Sequence, residues 1–170
     1  PINENEQHPF LRNGENLKSN RMIVGTFPIY SLTLPRTNRK ILLQEINSDI
    51  SFFYGSAANH FWSWYVQFVD NTVNINNVNS ILASLIQNEI AISDVIMECT
   101  RLNESSEDKD LKNKIWNSDL SDRINKDNFK IICTSKGAMN WLVERILIPS
   151  GFTINFIEST GLQNQILGAI

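Results

Sequence analysis

The chain has 170 residues, a net charge of −3 and a pI of about 5.4, with 42% hydrophobic and 19% charged residues. That length suits one domain around one core, and the composition is that of a soluble globular protein rather than a disordered chain. No apolar run approaches the roughly 18 residues needed to cross a bilayer, and the N-terminal stretch has no signal-peptide core, so a cytoplasmic location and no membrane partner are expected. The slight acidic surplus excludes a strongly basic nonspecific nucleic-acid binder, but not contact with DNA through one small basic face. Two cysteines, Cys99 and Cys133, are too few for a four-cysteine iron–sulfur cluster or structural zinc and read as buried free thiols.

Residues 1–20 read as an irregular lead-in, in which His8 has a structural role, and residues 21–170 as a single α/β domain. Short apolar runs at Met22–Phe27, Ala91–Cys99, Lys130–Ser135 and Thr153–Glu158 predict four buried strands. Between them, apolar residues at helical spacing predict helices over Phe61–Val69, Asn79–Glu89 (with Ser80 a candidate cap), Asp110–Asn117 and Gly137–Leu147. Their stripes, such as Ile81, Leu82, Leu85 and Ile86, or Met139, Leu142, Val143 and Ile146, read as core. Alternating strands and helices imply βαβ units, hence a three-layer α/β/α fold with a central four-stranded, mostly parallel sheet. In such folds the site lies beyond the carboxyl ends of the strands, which directs attention to the residues after Phe27, Cys99, Ser135 and Glu158.

Three segments there carry chemistry. Gly25-Thr26-Phe27-Pro28 ends the first strand with a residue that permits close backbone approach, then stiffens the turn. It is neither a dinucleotide fingerprint nor a P-loop, and a nucleophile elbow and a zinc-protease helix are also absent from the sequence. The segment Phe52 to Trp62 sets aromatics around the small-residue turn Gly55-Ser56-Ala57-Ala58, followed by Asn59 and His60. Phe61 and Trp62 read as core anchors and His60 as a packed or capping residue. Tyr54 is a natural stacking platform for a planar base, and the Asn59 amide can orient a water or read a base edge. Finally, Glu158-Ser159-Thr160-Gly161-Leu162 makes a tight loop with Leu162 at its crest, either a wedge between bases or a staple packed inward.

Together these segments resemble the uracil-DNA glycosylase superfamily, especially its mismatch-specific branch and hypoxanthine-directed relatives. In that branch a Gly-x-Asn-Pro loop follows the first strand, then comes a segment like His-Pro-Ala-Asn-Arg-Phe-Trp, then a late Asn-Pro-Ser-Gly-Leu loop. The counterparts here are Gly25–Pro28, Ser56–Trp62 and Glu158–Leu162, in the same order and at similar spacing. The Gly-Ser-Phe-Pro loop of the hypoxanthine-directed relatives is closer still, and Asp94-Val95-Ile96 with Arg101 resembles their second-strand region. The chain departs from the mismatch-specific pattern at Phe27, where that branch keeps a water-positioning amide, and at Glu158, where the late loop lacks its usual proline.

The resemblance implies a monomeric, cofactor-free and metal-free DNA glycosylase that flips a deaminated base (uracil, hypoxanthine or a related one) out of damaged or mismatched DNA and hydrolyses its N-glycosidic bond. Asn59 would hold the attacking water. Gly25, Thr26, Phe27 and Tyr54 would bind the base. Ser159, Thr160, Gly161 and Leu162 would meet the DNA backbone and the vacated stack, and Arg36, Arg39, Lys40, Arg101 and Lys136 would form a basic track. Two alternatives stand beside it: a nucleobase- or damaged-DNA-binding protein that retains the fold with weakened catalysis, and a small α/β protein unrelated to DNA.

Overall fold

The computed structural model describes residues 5–15, 19–33, 49–102, 107–124 and 130–153. Among these residues the chain is mixed α/β with two three-stranded sheets. The parallel sheet contains β2 (Arg21–Gly25), β3 (Ala91–Asp94) and β6 (Lys130–Cys133) in the order β3-β2-β6. Central β2 pairs Met22 with Ala91 and Ile131, and Val24 with Ser93 and Cys133. Its Met22, Ile23 and Val24 are all buried, as expected of a strand covered on both faces. The antiparallel sheet, which the sequence pattern does not predict, contains β1 (Asn5–Gln7), β4 (Ile96–Arg101) and β5 (Leu111–Trp116) in the order β1-β4-β5. Of the four predicted strands, Thr153–Glu158 lies outside the described residues beyond Thr153.

Several expectations are corrected. The lead-in is ordered in part: Asn5–Gln7 pairs with Thr100–Glu98 of β4, and α1 (Leu11–Glu15) packs on β3. The apolar run 91–99 is two strands in different sheets rather than one. The Val95 N–H goes to Gly25 O at 3.0 Å and its carbonyl accepts from Asn117 N at 2.9 Å, and there the chain leaves β2 for β1 and β5. Asp110–Asn117, predicted as a helix, is mostly β5: its Leu111–Trp116 segment pairs along β4, across bulges, with Asn113 at φ 48°. The ladder is a long-range contact that no local window contains, and Lys112 and Lys114 suit an edge strand.

The remaining predicted helices keep close to their expected bounds, but Ile86 and Met139, read as core, are exposed. Helix α2 (Tyr30–Thr33), which follows the first loop, was not predicted, and α3 spans Phe61–Phe68. Helix α4 spans Val78–Gln87 and is capped by Asn77, whose side chain accepts from Asn79 N and Ser80 N, so Ser80 is not the cap. Helix α5 (Asp119–Ile124) was not predicted. Helix α6 (Lys136–Trp141) starts at the Ser135 cap and continues as a π-helical turn over Leu142–Leu147, burying Ala138, Leu142, Ile146 and Leu147. Among the described residues no helix is long and apolar enough to cross a membrane.

Candidate functional site

A cavity of about 490 Å³ opens at the carboxyl ends of the parallel strands. Its floor comes from Thr26, Phe27 and Pro28 after β2, Asp94 at the end of β3, and Cys133, Thr134 and Ser135 at the end of β6. Its wall comes from Tyr54, Gly55, Ser56, Asn59 and the α3 residues Phe61, Trp64 and Phe68. At the mouth, Trp64, Phe68 and Val69 are substantially exposed. The volume and mainly apolar lining, with a few converging polar groups, suit a small planar ligand.

Tight local geometry builds the wall. The 50–55 turn closes through Ile50 N to Gly55 O and Phe52 N to Ile50 O, both 2.7 Å. A Cβ on Gly55 would overlap the Ile50 carbonyl. Tyr54 sits at φ 55°, a conformation costly for a bulky residue. Its neighbours hold it there. Phe52 and Phe53 are fully buried, the Trp62 indole N–H donates to Phe53 O at 2.8 Å, and the Tyr54 hydroxyl donates to Ser93 O at 3.0 Å. The Tyr54 ring covers Gly25, where a Cβ would overlap both that ring and Asp94 Oδ1, so the glycine is required by close approach. Burial, reinforced by Asp94, raises the Tyr54 phenol well above its ordinary pKa and keeps it protonated. Asp49 ties the segment to α2, accepting from Ala57 N at 2.8 Å and from the Ser31 hydroxyl at 2.9 Å.

The expected residues of the first two segments fall together. Thr26, Phe27, Tyr54 and Asn59 line the cavity, with Gly25 directly beneath Tyr54. Phe27 is buried edge-on against His8, ring centroids 5.5 Å apart, with the Arg101 guanidinium 5.8 Å from its ring centre. Asn59 is exposed, and its Oδ1 already accepts from Phe61 N at 2.9 Å at the start of α3. Arg101 is no surface cation. It is buried, its Nε and Nη2 bind Glu6 at 3.0 Å each, and Nη2 also donates to Pro28 O at 2.9 Å. A guanidinium so held braces the first loop from below instead of meeting phosphate. Lys136 is exposed at the start of α6, next to Ser135 of the lining. Arg36, Arg39, Lys40, Ser159, Thr160, Gly161 and Leu162 lie outside the described residues.

Two carboxyl groups that were not expected at the site also line the cavity. Asp108, in a 3₁₀ turn over Asp108–Asp110, accepts from the Thr26 hydroxyl at 2.8 Å. Burial raises its pKa, with Asp94 adding to the shift and the Thr26 bond opposing it. Asp94 is 2% exposed and bonds His8 Nε2 through Oδ2 at 2.8 Å. Reading 91–99 as one strand placed its carboxyl end at Cys99 and hid Asp94, which is the true end of β3. Asp108 carries no local signal, since only the fold of the antiparallel sheet delivers it. The two thiols are free: burial pushes Cys133 up to about 11 and, deeper in the core, Cys99 up to about 12. Among the described residues, no group of three or more His, Cys, Asp and Glu is placed to hold a metal ion.

No family model, curated protein or solved structure matches the chain.

Proposed function

We propose that the protein is a DNA glycosylase of the uracil-DNA glycosylase type, excising a deaminated base flipped into the cavity at the carboxyl ends of β2, β3 and β6. One observation carries the reading: loops far apart in sequence, 26–28 and 54–59, meet in a single base-sized cavity with Tyr54 and Asn59 on its wall. The fold that goes with it is three-layer α/β/α with a central four-stranded, mostly parallel sheet. DNA bearing a damaged base is the partner, and a monomer suffices.

In this reading the extruded base enters between Tyr54, Phe27 and Phe61, water attacks the anomeric carbon, and the base departs carrying the bonding electron pair until it is protonated. Asn59 Oδ1 keeps a second lone pair beside the one given to Phe61 N–H, and it orients the water. Asp108 and Thr26 form a second polar cluster on the cavity lining. Asn59 is not a general base and Phe27 has no basic group, so neither takes the proton of the water.

Incubation with duplexes containing uracil or hypoxanthine, followed by alkaline cleavage, should reveal abasic sites. Asn59→Ala should lower single-turnover cleavage by about a hundredfold, the scale of one placed transition-state contact. A second reading is favoured by Phe27, which stands where related enzymes hold water: a damaged-DNA-binding protein without chemistry. Tight lesion binding with no abasic product from any duplex would establish that reading and end the first.

A further inference from the structure

Asp94 of the cavity lining makes a side-chain contact with a residue 86 positions away. His8 follows β1 with its side chain fully buried, in edge contact with Phe10 and Phe27 and tilted against Phe53. Its ring nitrogens face different partners. Nδ1 meets the Phe10 N–H at 3.1 Å, and Nε2 meets Asp94 Oδ2 at 2.8 Å. A backbone N–H only donates, so Nδ1 accepts, the ring proton sits on Nε2, and it is given to Asp94. Behind the carboxyl group, Asn117 donates to Ser93 Oγ at 3.2 Å and Asp94 O at 3.0 Å, which fixes the backbone.

One oxygen of Asp94 is thereby satisfied. The other, Oδ1, is buried and has no hydrogen-bond partner among the described residues, on a side chain that lines the cavity. The Tyr54 hydroxyl donates to Ser93 O at 3.0 Å, and the Asp94 carboxyl group near it adds to the rise in its pKa. A buried oxygen without a donor is costly, and native structures keep one where something else supplies the donor.

We propose that His8 and Asp94 form a recognition pair, in which His8 positions Asp94 and Asp94 Oδ1 accepts an N–H from the bound heterocycle. The inference rests on the reading that the cavity holds a nucleobase. It narrows the ligand to bases that present a ring-amide, ring-imide or amino N–H at that edge. A carbonyl or an N-methyl group there meets lone pairs, and a carboxylate held by a histidine proton cannot turn a donor toward them.

The test is a titration of the full chain with 1-methyluracil, 1,3-dimethyluracil, 9-methylhypoxanthine and 1,9-dimethylhypoxanthine, whose glycosidic nitrogen is blocked throughout, followed by ligand-observed NMR, with a melting curve for each variant. Methylation of the ring nitrogen should weaken binding by about tenfold or more, the scale of a hydrogen bond to a charged acceptor. In Asp94→Asn the ratio between parent and methylated base should narrow, because an amide offers either a donor or an acceptor. His8→Phe should narrow it too, and His8→Gln, which restores a donor to Asp94, should recover it. A merely structural His8 would lower the melting temperature in both His8 variants and leave the ratio alone, and steric exclusion of the methyl group would leave the ratio unchanged in Asp94→Asn. Either result overturns the pair. Should His8→Phe fail to fold, Asp94→Asn and His8→Gln still decide. Equal binding of parent and methylated bases overturns the pair and leaves a base-holding cavity. Discrimination by the chain without abasic sites in any duplex supports the pair and overturns the glycosylase. No binding of any of the four overturns both.

Discussion

In the antiparallel sheet, Arg101 of β4 is buried and its guanidinium bonds Glu6 and the Pro28 carbonyl. In the parallel sheet, Asp94 of β3 is buried as deeply, yet only one of its carboxyl oxygens has a donor. The two residues lie on the same run of chain, on either side of the turn at Val95. The contrast separates two uses of a buried polar group. Arg101 is spent internally, fastening the N-terminal strand to the first loop. Asp94 is held by His8 through one oxygen, and its other oxygen has no donor among the described residues. The antiparallel sheet serves as a brace, delivering His8, Arg101 and Asp108 to the mouth of a parallel sheet that could not position them alone.

The largest effect that would test this contrast is expected at the brace. Arg101→Met should cost about 3–5 kcal/mol in urea unfolding, because it strands the nearly buried Glu6 carboxylate. Adding Glu6→Leu should recover much of that loss. If the single variant loses less than about 1 kcal/mol, the typical worth of an exposed ion pair, the brace is a surface feature after all.

Next comes the contact between the sheet and the wall. Gly25→Ala places a methyl group against both the Tyr54 ring and Asp94 Oδ1. It should destabilise by roughly 1–3 kcal/mol, the range for overpacking a tight site, and should disturb base binding as well. A variant as stable as the parent would show that Tyr54 does not close over Gly25.

Tyr54 separates ring from hydroxyl. Tyr54→Phe loses one hydrogen bond to Ser93 O, about 1 kcal/mol of stability by thermal melting, and keeps base capture. Tyr54→Ala should weaken capture of a flipped base by about 1–3 kcal/mol, the value of one stacking platform. Equal capture by both would remove Tyr54 from the binding wall.

The smallest effect is a gain. Burial raises the Asp108 pKa above that of the unfolded chain, so the fold binds this proton more tightly. Its stabilising contribution is complete below the ordinary carboxylate pKa and is lost as pH rises through the raised folded value. Asp108→Asn escapes that loss. The variant should melt slightly above the parent near neutral pH, and the gap should close near about pH 4, where the unfolded carboxyl is itself half protonated. A gap that widens on acidification would mean that the fold stabilises the charged form.

The strands at 21–25 and 130–133 and the helices over 61–68, 78–87 and 136–147 were legible because their signals are local. An apolar run bounded by turn residues, or apolar residues at helical spacing, reports burial within a window of about ten residues. Thr26 and Phe27 were legible because they follow a parallel strand, whose carboxyl end is where such folds place their sites, and Tyr54 and Asn59 because an aromatic and an amide flank a small-residue turn. Three other features depend on contacts that no window spans. Val95 divides an unbroken apolar run because β2 ends at Gly25, and β1 and β5 offer the next ladder. Leu111–Trp116 extends as a strand because β4 has an edge to pair, against its own helical appearance. His8, in an apparently irregular lead-in, reaches Asp94, and Asp108, in an acidic loop, reaches the cavity, only through that second sheet. Composition and periodicity determined where the chain would bury itself. Which polar side chains met inside was decided by long-range strand pairing, whose energy belongs to two distant segments jointly and to neither one alone.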